Sequence, residues 1–590
     1  MNENNSGLNI LKEISAKKEE HEFYEAEVKG YIPGKTKFII IMGTVMSGLG
    51  KGIVSSSIGK LLQINGYTVT PIKLEGYLNV DSGTLNPYRH GEVYVLDDGM
   101  ECDMDLGTYE RLLDTTLTGK NFTTNGQIYS SILQLERKGG FLGRDVQYIP
   151  HVTGEVKRRL RKLAMDSKAD IVLIEVGGTV GDLENSVYIE ALRELEYEEG
   201  KENVCNVALT FILEPKFLGE QKSKAGQLGL RSLMAMGIHP DVVACRCHNL
   251  VTEKVREKIS IFSNVPMDRV ISVHDVDSIY KIPALMKKAN LDQEILSLLK
   301  LKPKTDFYLQ QKELEKIEYY IKAIDNPKKE ITIGITGKYT NIRDSYASIA
   351  KALEHSGAAT NTKINIKWIE TTEIEDGKLD IVDALKDENG NLIKGIIVPG
   401  GFGKRGVEGK IACVRFAREN NIPYLGLCYG FQMAIIEFGR NVCKLEDAHT
   451  TEVSPNCKNP VVDILPEQKK IEGLGGNMRL GGRNIDVKEN TITSKLYELD
   501  NDAVKNSIKQ SKTQVRERFR HRFEFNPEYL EQFEKQGIVF SGKAPQHPIM
   551  QILELPEHKF FVGVQYHPEF TSKMLFPNPL FLGFVKACIE

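Results

Sequence analysis

Three short stretches in the second half of the chain hold residue types suited to covalent chemistry on a carboxamide. Residues 422–432 read I-P-Y-L-G-L-C-Y-G-F-Q: an apolar strand runs into Gly426–Leu427–Cys428–Tyr429–Gly430 and then a helix. This is the G-x-nucleophile-x-G elbow with cysteine in the nucleophile position. Both glycines relieve crowding at a sharp turn, and a thiol facing a helix N-terminus is favoured as its thiolate. A thiol needs a base, and Tyr566–His567–Pro568–Glu569–Phe570 offers one. His567 can take the thiol proton, and Glu569 can orient the imidazole and favour its charged form. Pro399–Gly400–Gly401–Phe402–Gly403 follows a strand-like run at 395–398, and its backbone N–H groups can form an oxyanion hole. Each piece has an ordinary alternative: a small buried cysteine, a His-Pro-Glu turn. Together, in this order on an α/β pattern, they imply hydrolysis of a carboxamide through a thioester.

The first half holds a different kind of turn. Residues 39–52 read I-I-I-M-G-T-V-M-S-G-L-G-K-G and lead into a helix. A strand, a Gly-rich turn and a helix N-terminus aim backbone N–H groups at an anion, and Lys51 adds a full positive charge. The strict phosphate-loop pattern is not met. Val45 stands five residues before Gly50, where that pattern asks for glycine, and Gly52 replaces the Ser/Thr that touches Mg²⁺. An ordinary Gly-rich strand-to-helix turn therefore also fits. If a nucleotide binds, other groups must hold its metal. Asp105 lies in Glu101–Cys102–Asp103–Met104–Asp105–Leu106–Gly107, and Glu175 ends an apolar strand before Val176–Gly177–Gly178. Mg²⁺ commonly takes one or two carboxylates plus phosphate oxygens and waters, so this pair suffices. Asp105 alone also reads as a solvated loop acid.

These turns must sit on regular elements, and the pattern supplies them. Strand-length apolar runs at 37–41, 68–74, 171–176, 206–213 and 241–245 alternate with helical stretches at 53–62, 187–196 and 253–262. Such alternation predicts an α/β fold: a doubly wound, mostly parallel sheet with helices on both faces. Ligands then bind outside the carboxyl ends of the strands. A charged helical stretch at 308–323 followed by Asp325–Asn326–Pro327–Lys328 reads as a linker, and a second α/β unit starts at 331–336. The boundaries expected are a polar extension at 1–35, a first domain at 36–300, a linker at 301–330 and a second domain at 331–590.

Composition narrows the partners. Lys plus Arg is 77 and Asp plus Glu is 80, a formal net charge of −3, which gives no nucleic-acid footprint. Nine scattered cysteines show no framework and read as reduced thiols in a cytoplasmic protein. Cys245, Cys247 and His248 lack a second pair at zinc spacing. No apolar run is long enough to span a membrane. The N-terminus, with Lys-Lys-Glu-Glu at 17–20, resembles neither a secretory signal nor a transit peptide.

Taken together, these residues resemble the CTP synthase family over about 37–586. The second half resembles class I glutamine amidotransferases in general. The first half makes the match specific, through Ser47–Gly48–Leu49–Gly50–Lys51–Gly52, Lys73–Leu74, Asn86–Pro87, His90–Gly91–Glu92–Val93, Asp103–Met104–Asp105–Leu106–Gly107 and Glu175–Val176–Gly177–Gly178–Thr179–Val180–Gly181–Asp182. Asn264–Val265–Pro266 and Asp275–Val276–Asp277–Ser278–Ile279–Tyr280–Lys281–Ile282–Pro283 extend it.

The resemblance implies a phosphate-loop synthase domain joined to a class I glutamine amidotransferase domain. It implies ATP phosphates on Gly48, Leu49, Gly50, Lys51, Gly52 and Ile53, with Asp105 and Glu175 on Mg²⁺. It implies a pyrimidine site for UTP, shared in part by CTP as feedback inhibitor. That site uses Ser47, Asp182, Leu183, Glu184, Lys222, Ser223, Lys224, Ala225, Gly226, Gln227 and Lys258. L-glutamine falls to Gly401, Tyr429, Gly430, Phe431, Gln432, Glu452 and Arg522, beside Cys428, His567 and Glu569. ATP would phosphorylate the uracil C4 oxygen, ammonia would displace phosphate at C4, and Lys51 and Lys73 would neutralise the developing charge. The resemblance further implies a homotetramer, often filamentous, and GTP activation through a lid at 474–481 around Arg479. The residues of that lid alone also fit a solvated surface turn.

Four departures stand out. Glu75–Gly76 replaces the family's Asp-Pro, Gly107–Thr108 its Gly-His, Ala225–Gly226 its Pro-Thr, and Tyr429 its Leu. Two rivals remain: a cobyric-acid-type amide synthase, which lacks these pyrimidine segments, and a catalytically silent polymer, against which the intact triad speaks.

Overall fold

The computed structural model describes residues 28–141, 143–215, 217, 219–337, 343–464, 478–498, 508–545 and 547–590. The chain forms two units, one of Met1–Thr84 with Thr108–Glu318, the other of Leu85–Gly107 with Tyr319–Glu590.

The first unit is built on a seven-stranded, wholly parallel sheet. Its order is Phe122–Thr124, Val69–Glu75, Ile171–Val176, Lys37–Gly43, Val204–Phe211, Val242–Cys247, Val270–His274. The central strands are near-continuous apolar runs because both faces are covered. Phe38, Ile40, Val172 and Ile174 pack on one face with Leu160 and Leu192, from helices Thr153–Ser167 and Ser186–Glu199. On the other face helix Lys51–Ile64 comes so close that a Cβ on Gly59 would lie 2.7 Å from Leu173. The expected alternation is present, and each foreseen strand and helix appears within a few residues of its expected bounds. The end of the polar extension is part of this unit: Tyr31 Oη and the Gly34 N–H both donate to Glu199 at 2.9 Å, and Arg161 sits 5.3 Å over the Tyr31 ring.

The second unit has a ten-stranded sheet. Five parallel strands lie in the order Thr362–Glu370, Lys329–Gly337, Gly395–Val398, Tyr424–Leu427, Phe561–Val564. The sheet continues with an antiparallel half: Met550–Glu554, Val539–Lys543, Arg479–Val487, Gln514–His521, Lys509–Ser511. The sequence pattern did not reveal that half.

The units also depart from the boundaries read in sequence. Leu85–Gly107, inside the expected first domain, belongs to the second unit. Its hairpin, Tyr94–Val95 against Glu101–Cys102, is fastened to strand Gln514–His521 by charge: Asp97 to Arg516 at 2.9 Å and Glu101 to Arg520 at 2.7 Å. Helix Phe307–Asp325 is the helical stretch expected at 308–323 in the linker.

Candidate functional site

Cys428 stands between strand Tyr424–Leu427 and helix Tyr429–Asn441 with φ 50° and ψ −92°, a strained angle for a residue with a side chain. Its surroundings over-determine that angle. The Cys428 N–H donates to the Val564 carbonyl at 2.7 Å, and Tyr424 Oη donates to the Gly430 carbonyl at 2.8 Å. A Cβ on Gly430 would lie 2.1 Å from the Val398 oxygen, so only glycine lets the helix start here. The thiol is buried. It approaches the Arg520 carbonyl at 3.6 Å and accepts from Gln565 Nε2 at 3.6 Å.

His567 and Glu569 meet it from the turn after strand Phe561–Val564. His567 Nδ1 pairs with Glu569 Oε1 at 2.8 Å, which leaves Nε2 for the sulfur side. A Cβ on Gly400 would be 2.8 Å from His567 Cε1 and 3.7 Å from Cys428 Cβ, so thiol, imidazole and glycine loop converge on one point. Burial disfavours the charged imidazole, but the Glu569 carboxylate and the Cys428 thiolate outweigh it and raise His567 to about 10. Such a set can hold a thiolate–imidazolium pair, attack a carboxamide carbon, and pass the imidazolium proton to departing ammonia.

A cavity of about 340 Å³ opens on this point. Of the expected glutamine residues, Gly401, Tyr429, Gln432, Glu452 and Arg522 line it. Gly430 and Phe431 do not: Gly430 faces Val398, and Phe431 is core. Glu452 accepts the Gly403 N–H at 2.8 Å and Tyr429 Oη donates to the Gly403 carbonyl at 2.8 Å, so both fix the glycine loop. The sequence reading missed Glu92, Tyr346, Arg520 and Phe570 on the cavity wall. Arg520 and His521 sat in plain view beside Arg522, within a run whose alternating charges signal a strand edge rather than a pocket.

The expected lid needs a correction. Residues 474–477 lie outside the described residues, and Arg479 is no loop residue. It opens strand Arg479–Val487 opposite His521, and its Nε pairs at 2.7 Å with the buried Glu524, which also takes His521 Nε2 at 2.8 Å. A short polar strand rich in glycine carries no apolar alternation to announce it.

In the first unit, Gly48 and Gly50 supply positive φ of 74° and 82°, and Gly50 begins helix Lys51–Ile64 without a side-chain cap or an acid in its first turn. Those N–H groups suit an anion. Lys51 Nζ donates to the Gly178 carbonyl. Lys73 lies 3.2 Å from Glu75 and 3.3 Å from Glu175, and Tyr109 Oη also donates to Glu175. Glu175, next to last in strand Ile171–Val176, is buried, an oxygen donor of the hard kind Mg²⁺ takes. Asp105, in the Leu85–Gly107 segment of the second unit, starts helix Asp105–Leu113, its N–H on Asp103 Oδ1 at 2.9 Å. No group of three metal-ligating side chains occurs among the described residues. Cys245 and Cys247 are buried, and burial pushes their thiols up to about 12 and about 11.

The expected pyrimidine residues are dispersed over several elements. Asp182 takes the Thr179 N–H at 2.7 Å in the turn before Leu183–Asn185. Leu183 and Glu184 line a cavity of about 750 Å³ with Gly76, Tyr129, Tyr148 and Ile149, the last three unforeseen. Lys222 is bridged to Leu213, Ser223 precedes helix Lys224–Ala235, and a Cβ on Gly226 would press on Thr210 Oγ1 at 2.8 Å. Ser47 and Lys258 are exposed.

A buried thiol, imidazole and carboxylate beside a glycine loop on this sheet define a glutamine amidotransferase of class I, and the first unit adds a phosphate-loop α/β domain. Comparison with known proteins agrees. Residues 37–301 match the family model described as CTP synthase N-terminus, and residues 341–587 match Glutamine amidotransferase class-I. The CTP synthase of Thermococcus gammatolerans is 45% identical over 556 residues, 94% of this chain and 99% of that protein. The CTP synthase of Pyrococcus horikoshii is 46% identical over 556 residues, covering 94% and 98%. Among solved structures, the glutaminase domain of Trypanosoma brucei CTPS with bound acivicin is 34% identical, covers 44% of this chain and 94% of its own, and gives a TM-score of 0.38. The chain belongs to the CTP synthase family. Its reaction is the ATP-dependent amination of UTP at C4 to CTP, with ammonia taken from L-glutamine. No described helix is long and apolar enough to cross a membrane.

Proposed function

We propose that the two half-reactions of this ligase divide between Cys428 and the Lys51 loop. The observation that carries this is the strained φ of Cys428, held where His567 and Gly400 converge. In the glutamine half, His567 holds the proton of Cys428, and the thiolate attacks the glutamine amide carbon. The glycine loop at Gly400 and Gly401 donates N–H groups to the oxyanion, and His567 returns the proton to ammonia as the thioester forms. Water then releases glutamate. Tyr429, Gln432, Glu452 and Arg522 orient the substrate.

In the synthase half, Gly48 to Ile53 cradle the ATP phosphates and Lys51 leaves the Gly178 carbonyl for them. Lys73 is the second cation, beside the uracil oxygen that receives the phosphoryl group. Ammonia adds at C4 and phosphate leaves with the oxygen. Asp105 and Glu175 are the carboxylates that would hold Mg²⁺, which would supply charge neutralisation on the phosphates. Ser47, Asp182 to Glu184, Lys222 to Gln227 and Lys258 bind UTP and, as feedback inhibitor, CTP. GTP activates the glutamine half, and the enzyme works as a cytoplasmic homotetramer with a tendency to filaments. Support for these finer roles is the residue-by-residue match of the motifs.

The test is Cys428→Ala, assayed for CTP with glutamine and with ammonia. Glutamine-dependent synthesis should fall by about 10⁴-fold or more, while ammonia-dependent synthesis remains near wild type. Loss of both in a folded protein removes the division.

A further inference from the structure

Four residues, the catalytic His567 among them, close a ring through side-chain and main-chain contacts. The His567 ring lies on Phe570, centroids 5.1 Å and planes 14° apart. Phe570 meets the Tyr94 ring at 4.8 Å, and Tyr94 Oη donates to the Phe570 carbonyl at 2.8 Å. Arg518 Nη1 donates to the Tyr94 oxygen at 3.0 Å and to the Val95 carbonyl at 3.1 Å, and its guanidinium carbon lies 5.5 Å from the Tyr94 ring centroid. The Arg518 carbonyl accepts the His567 N–H at 2.8 Å, and the ring is complete. Every member is buried.

The ring constrains what Glu569 cannot. A single hydrogen bond to Nδ1 fixes one atom of the imidazole but leaves its plane free to tip about that bond. Phe570 sets the plane, and Tyr94 sets Phe570 both through its ring and through the main-chain carbonyl. The Tyr94 hydroxyl accepts one hydrogen bond and donates another, so it can occupy one place only. Packing alone would be served by phenylalanine; a buried hydroxyl costs free energy unless it is paired, and here both of its pairs serve the catalytic turn. Tyr94 stands 476 residues before Phe570, within Leu85–Gly107.

We propose that Tyr94, held by Arg518, is a positioning residue for the glutamine half-reaction, setting the plane of His567 from a segment that sequence places in the synthase half. The proposal rests on the Cys428–His567–Glu569 reading. Neither residue touches glutamine; both act through the imidazole.

The test uses the full chain and Tyr94→Phe, which keeps the ring and removes the oxygen. The kcat of glutamine-dependent CTP synthesis should fall about three- to tenfold, the worth of one or two buried hydrogen bonds. KM for glutamine should stay within about twofold, because substrate contacts are untouched. Ammonia-dependent synthesis should be unchanged. Alkylation of Cys428 by iodoacetamide, which reads the thiolate–imidazolium pair without substrate, should slow in parallel. Arg518→Lys, unable to reach both oxygens, should show the same kcat-selective loss. An unchanged glutamine kcat in Tyr94→Phe, or an equal loss with ammonia, overturns the proposal. Cys428→Ala run beside it separates the two readings. If that variant still uses glutamine, the triad fails and the proposal with it. If it is silent while Tyr94→Phe turns over normally, the proposal alone fails.

Discussion

The cysteine elbow and the phosphate loop are both strand-to-helix turns, yet they place backbone strain differently. At the elbow the positive φ falls on Cys428 itself, and the glycines beside it only make room. In the phosphate loop the positive φ is spread over Val45, Gly48 and Gly50, none of them the charged residue, and Lys51 begins an unstrained helix. Covalent attack needs one atom held at one angle, so the nucleophile carries the strain. Anion binding needs a set of N–H groups, so the unusual angles are shared along the loop, by Val45 as well as the two glycines, and lysine contributes only charge. The reactive groups around Lys73 are also satisfied by one another, through Glu75, Glu175 and Tyr109, whereas His567 Nε2 makes no hydrogen bond among the described residues.

The comparison predicts that damage near Cys428 spares ammonia use. Among variants that keep the thiol, Glu569→Gln should show the largest effect, a fall in glutamine-dependent kcat of about 10³-fold. It should also displace the pH profile. His567 is raised to about 10, so its proton is present below that value and lost as pH rises through it. Without the carboxylate that loss should begin at least about one pH unit lower. An alkaline limb that does not move would show that Glu569 does not govern the imidazole. Gly400→Ala should come next. A methyl group there would lie 2.8 Å from His567 Cε1 and push the imidazole aside, and a misplacement of about 1 Å can cost about 10²-fold in glutamine turnover.

The smallest effect concerns stability. Glu517 is buried and accepts from Thr571, Tyr497 and Asn578; burial pushes it up to about 7 despite these donors. The folded state therefore holds a proton that the unfolded chain, with a carboxyl near 4.5, has released. This favours the fold below the lower value, and the advantage fades as pH rises to about 7. Thermal melts of Glu517→Gln should lack that decline. A decline of wild-type size in the variant assigns it to another group.

The residues around Cys428 were legible because their chemistry is local: nucleophile, glycines, and a His-x-Glu turn each fit within a few positions. The parallel strands were legible because burial on both faces leaves continuous apolar runs. Strand Gln514–His521 was not. It reads as alternating charge, yet it is largely buried because Arg516, Arg518 and Arg520 find Asp97, Val95 and Glu101 more than 400 residues earlier. No local pattern announces partners so distant, and the same blindness hid Leu85–Gly107 as part of the second unit. Tyr129, Tyr148 and Ile149 were missed because apolar cavity walls look like core in sequence.

The most direct measurement is on Lys51→Ala, following glutamate release and CTP formation separately in one preparation. If strain at Cys428 and charge at Lys51 serve separate chemistries, CTP formation should fall by about 10³-fold with either nitrogen source, while basal glutamine hydrolysis persists near the wild-type rate. Retained CTP formation from ammonia, or basal glutamine hydrolysis lost along with it in a folded protein, would contradict that division.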